Sequence, residues 1–129
     1  MINNFEELEV WKESRNLRMQ ISIALKSFPS EEKYRLVDQL IRATRSVTAN
    51  IAEGHGRYHY QENIQFCRQA RGSLTETLDH LICANDENYI STEQLNNFRN
   101  QYALCLKLLN GYTAYLQKMK LNESSKLVK

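Results

Sequence analysis

Residues 36 to 57 constrain the fold more than any other part of this chain. Leu36, Val37, Leu40, Ile41, Val47 and Ile51 recur at the spacing that builds one buried face of a helix. Gly54 and Gly56 then close the segment, where glycine can supply the left-handed turn of a helix C-cap. Arg42 and Arg45 fall opposite the apolar face. A third stripe, Gln39, Ala43, Ser46 and Asn50, is small or amide-bearing and suits close approach by a second surface. One proline and four glycines in 129 residues leave little material for strands and tight turns.

The same period recurs three more times. A first helix is predicted from about Phe5 to Ser27, capped by Asn4 with Glu7 three positions on, and with Leu8, Trp11, Leu17, Ile21 and Leu25 on its apolar face. Pro29 disfavours helix at Phe28, and Ser30 is placed to cap the second helix. A third helix follows from about Tyr60 to Asn85. Ser91 and Gln94 form a capping box for a fourth, which carries Leu95, Phe98, Cys105, Leu109 and Leu116. Short connections force antiparallel neighbours, so the expected fold is all-α, an up-down-up-down four-helix bundle over residues 1–120. Residues 121–129 show no period and read as a disordered polar tail.

The net charge of +2 excludes a global basic field. Its distribution is uneven. Residues 33 to 71 carry seven Lys/Arg against three Asp/Glu, and residues 72 to 93 carry five acids and no Lys or Arg. Cys67, Cys83 and Cys105 have no metal-type spacing and read as small core or near-core residues of a reducing compartment. The N-terminus is too acidic for a signal peptide, and no run reaches the roughly 20 apolar residues of a membrane span. A cytoplasmic location is the expectation.

Candidate chemistry is sparse. His55 and His59 are four apart, but Gly56 interrupts the helix that would align them with Glu53 or Glu62 on a metal. They read as solvated turn residues. No nucleophile–base pair stands out, so no enzymatic activity, metal or cofactor is expected. Arg71 falls near the centre of the third helix's apolar stripe, alongside Leu74, Leu78 and Cys67, where an arginine requires a carboxylate partner. Glu53 is the nearest candidate across the hairpin. The pair reads as a structural clasp or subunit contact, and a ligand-binding arginine is the alternative. Asn50, Glu53, Gly54, Gly56 and Arg71 thus form a predicted structural motif. Arg42, Arg45, Arg57 and Arg68, with Tyr58 and Tyr60 nearby, form a predicted nucleic-acid surface.

The segment Ser46 to Leu81 contains N-I-A-E-G followed by G-S-L-T-E. Upstream stand Phe5, Leu8, Val10, Trp11 and Lys12, then Phe28-Pro29, Tyr34 and Gln39-Leu40. Together these resemble the bacterial four-helix-bundle proteins encoded in 23S rRNA intervening sequences, over residues 5 to about 116. The resemblance implies a four-helix bundle assembling into a homopentameric ring. A related branch, the accessory variability determinant of diversity-generating retroelements, implies RNA, single-stranded DNA or a nucleic-acid enzyme as partner. The function expected on these grounds is a nucleic-acid-associated scaffold. A protein–protein adaptor without nucleic-acid contact is the alternative.

Overall fold

Hydrophobic periodicity of 3.6 residues is realised four times in the computed structural model, which describes residues 4–128. The helices are α1 (Glu9–Leu25), α2 (Leu36–His55), α3 (Tyr60–Asp86) and α4 (Thr92–Val128). Each runs beside two others, in the cyclic order α1, α2, α3, α4 and back to α1. Consecutive helices are antiparallel, joined by connections too short for any other arrangement. Leu17 and Ile21, Leu40 and Ile51, Ile64 and Leu74, and Cys105 and Leu109 meet in one buried core. Each large aliphatic side chain so buried contributes roughly 1.5–3 kcal/mol.

The helix ends depart from expectation where burial overrides local signals. Asn4 caps only a single 3-10 turn, Phe5–Glu7, by accepting from the Glu6 amide at 2.8 Å. Leu8 is extended (φ −71°, ψ 126°), which turns its side chain into the core, and α1 starts at Glu9. Ser30 likewise opens a 3-10 turn, Ser30–Glu32, and α2 begins only at Leu36. Glu32 is drawn away to accept a 2.8 Å hydrogen bond from the Tyr89 hydroxyl, which pushes that phenol up to about 12. The Ser91–Gln94 capping box forms as expected. The Ser91 amide donates to Gln94 Oε1 at 2.8 Å, and the Gln94 amide donates to Ser91 Oγ at 3.0 Å.

α4 continues to Val128, so residues 121–128 of the expected tail are helical. No glycine or proline stands there to stop the helix. Residues 121–126 are all exposed. Residues 1–3 and Lys129, at the ends of the two expected segments, lie outside the described residues. Among the described residues, no helix is long and apolar enough to cross a membrane.

Candidate nucleic-acid interface

α2 has two polar faces with different fates. The face toward α3 carries Ala43, Ser46, Asn50 and Gly54. Ser46 Oγ and Ser73 Oγ share a hydrogen bond of 2.8 Å across the hairpin. Asn50 Nδ2 donates to the Ser46 carbonyl at 2.8 Å and to Ser46 Oγ at 3.0 Å. Asn50 therefore fixes the serine pair and does not bond to the helix end or to the next helix's first amides. A Cβ at Gly54 would lie 2.6 Å from Asn63 Oδ1 and 2.8 Å from Phe66 Cβ. The residue must be glycine because α3 packs against it, and not because of a left-handed cap. Gly56, the C-cap, is right-handed (φ −77°), and Asn88 is the residue with positive φ among those described. The second surface for which this stripe is suited is thus, at Ser46 and Gly54, α3 of the same chain.

The Glu53–Arg71 clasp does not form. Glu53 accepts from Arg57 Nη2 at 3.0 Å, one helical turn away, and Arg71 is exposed. Ala70, Leu74 and Thr77 mark the centre of the α3 stripe. Arg71 lies at its rim, exposed, and no ion pair includes it among the described residues.

The four predicted surface arginines do not form one patch. Arg42 pairs with Asp38 at 3.0 Å. Arg57 pairs with Glu53 and, at 3.9 Å, with Glu62, and its guanidinium stacks over Phe66 at 4.9 Å. Arg45 lies about 18 Å from Arg57 along α2, at 1.5 Å per residue. Arg68 is exposed on α3, which lies on the other side of α2 from α1.

A different set of arginines stands along the seam of α1 and α2. Half-buried Arg18 donates from Nη1 to Thr48 Oγ1 at 2.7 Å. Thr48 Oγ1 in turn donates to the Arg45 carbonyl at 3.2 Å. Arg15 is one turn from Arg18 on the same face of α1 and lies 5.7 Å over the Trp11 ring. Phe5 holds that indole by an edge contact at 5.1 Å. Among the described residues, no ion pair includes Arg15, Arg18 or Arg45. Sequence reading missed Arg15 and Arg18. The signal was present as Trp11, Arg15 and Arg18 at i, i+4 and i+7, a stripe beside the apolar one.

One end of the bundle holds a cleft of about 890 Å³. Leu8, which leads into α1, and His55, which ends α2, are among its lining. Tyr58 and His59 come from the α2–α3 turn, Tyr60 from the start of α3, and Tyr112, Tyr115 and Leu116 from α4. Tyr112 is held by Asn63, whose Nδ2 donates to its hydroxyl at 3.0 Å, and burial pushes that phenol up. Tyr58 is 93% exposed and meets His59 edge-on at 4.9 Å. Among the described residues, no His, Cys, Asp and Glu side chains gather as a metal site. Cys67 and Cys105 are buried, and burial pushes both thiols up, Cys105 to about 11. Cys83 is exposed, contrary to the core placement expected, and slight burial together with Glu87 and Asp86 raises its thiol too.

Residues 6–111, which span all but the last turns of the bundle, match the 23S rRNA-intervening sequence proteins. The chain belongs to that family. A crystal structure of a protein of unknown function from the S23 ribosomal protein family of Bacteroides thetaiotaomicron is similar to it, with a TM-score of 0.74 and 25% identity. The similarity covers 81% of this chain and 97% of that one. No curated protein matches. The family match ends at residue 111, so Tyr112 and Tyr115 of the cleft lie just beyond it.

Proposed function

We propose that this family member is a cytoplasmic, non-enzymatic binding module that holds nucleic acid on its α1–α2 groove and scaffolds it as part of a homo-oligomeric ring. The observation that carries this reading is the cluster of Arg15, Arg18 and Arg45, which has no carboxylate partner among the described residues. Unlike Arg42 and Arg57, which are held by acids, these three come from two helices joined by the Arg18–Thr48 bond and offer donors for phosphate oxygens. Trp11 adds an aromatic surface beside them. A ring repeats the groove in every subunit, and weak copies then act together.

The test is fluorescence anisotropy with a short labelled RNA across a salt series starting at about 50 mM. Three phosphate contacts per groove predict a slope of log affinity on log salt of about −2 for a single strand. Arg15→Ala, Arg18→Ala and Arg45→Ala together remove that slope. Absence of binding at micromolar wild-type protein in low salt overturns the reading and leaves a protein–protein adaptor as its replacement.

A further inference from the structure

We infer that the end cleft receives unpaired bases of the same strand whose phosphates lie on the α1–α2 groove, so that the protein selects single-stranded over duplex nucleic acid. The inference rests on the reading proposed above and adds to it a second site and a selectivity.

Continuity is the first ground. Leu8 leads directly into α1 and lines the cleft, and His55 ends α2 on the other wall. From Arg18 down to Leu8 is about 15 Å by helical rise. That is about four or five nucleotides at the 3.4 Å spacing of a stacked strand. A strand lying on the arginines therefore arrives at the cleft within its own length.

Charge is the second ground. Arg57, the one arginine of the cleft, is already held by Glu53 and Glu62, and Glu123 also lines the space. The one arginine among the cleft's lining residues is therefore not free for a phosphate. The α1–α2 seam has three arginines without a carboxylate partner among the described residues, beside Trp11 and Phe5. Phosphate and base are thus divided between two adjoining places, as a strand with splayed bases requires.

The lining is the third ground. Tyr58, Tyr60, Tyr112 and Tyr115 supply aromatic faces, and every nucleobase stacks on such a face whatever its sequence. Tyr58 at 93% and Tyr115 at 54% exposure gain little from packing within the chain. Bases in a duplex have their faces covered by neighbours and cannot enter.

The experiment compares a labelled 12-nucleotide RNA with the same RNA annealed to its complement, both against wild type and against Tyr58→Ala with Tyr115→Ala. Both tyrosines are exposed, so the double variant keeps the wild-type melting temperature. The wild type prefers the single strand by about tenfold or more, and the double variant loses most of that preference while duplex affinity stays unchanged. Tyr58→Phe with Tyr115→Phe keeps the preference, because stacking needs the ring and not the hydroxyl. Equal wild-type affinity for both probes overturns the cleft proposal and leaves the arginine groove standing. So does a double alanine variant that binds the single strand like wild type. A wild type that binds neither probe overturns the groove reading and this inference together.

Discussion

The two polar faces of α2 are made from similar residues and do opposite things. Toward α3, Ser46, Asn50 and Gly54 meet Ser73, Asn63 and Phe66 with no space left over. Toward α1, Thr48 meets Arg18, and the guanidinium that fills the gap keeps most of its five donors free. The difference follows from side-chain size. Small residues let two backbones close on each other, and their few polar atoms satisfy one another. A long cationic residue at the corresponding place reaches across the seam and keeps most of its polar atoms unpaired by the protein. The first seam belongs to folding, and the second is available for binding.

The sharpest way to break this comparison is Gly54→Val. The new side chain must displace Asn63 and Phe66, and denaturant titration is expected to show a loss of about 3 kcal/mol. An unchanged midpoint would mean that the α2–α3 seam is looser than its distances say. Asn50→Leu comes next, at about 1–2 kcal/mol, because it leaves the serine pair and the Ser46 carbonyl without their donor. On α4, Gly111 has no atom within 4 Å of an added Cβ. Gly111→Ala should therefore raise stability by about 0.5–1 kcal/mol in the isolated subunit. If the same change weakens assembly in light scattering, a second subunit approaches there. The smallest effect belongs to the groove: Arg15→Ala with Arg45→Ala should shift stability by no more than about 0.5 kcal/mol while weakening RNA binding. A large loss of stability would place these arginines among the folding residues and remove the contrast.

Much of the fold was legible in the chain because it depends on short-range periodicity. Leu40, Val47 and Ile51 identify their helix without help from elsewhere, and Ser91 with Gln94 marks the start of α4. What could not be read depends on where one segment meets another. Asn4 and Ser30 look like α-helix caps, but the burial of Leu8 and the Tyr89–Glu32 bond set those boundaries instead. Gly54 was located correctly as a required glycine and given the wrong reason, since its constraint comes from Asn63 and Phe66 on α3. Arg71 shows the limit of a helical wheel, because one position of rotation separates a core residue from a hydrated rim. The candidate site was the least legible part. Arg18 and Thr48 stand 30 positions apart, and the cleft draws its tyrosines from two segments more than 50 residues apart.

The Arg18–Thr48 bond has a further consequence for the cost of recognition. A free arginine side chain carries roughly 2 kcal/mol of rotamer entropy, and a surface arginine gives up much of it when it grips a ligand. Arg18 has already given up part of that freedom on folding, at a 2.7 Å contact that uses one of its five donors. The penalty was absorbed by the cooperative folding of the bundle, before any ligand arrives. On the proposed reading, a strand would find one cation whose position is preset by folding, with Arg15 and Arg45 free of ion pairs among the described residues beside it.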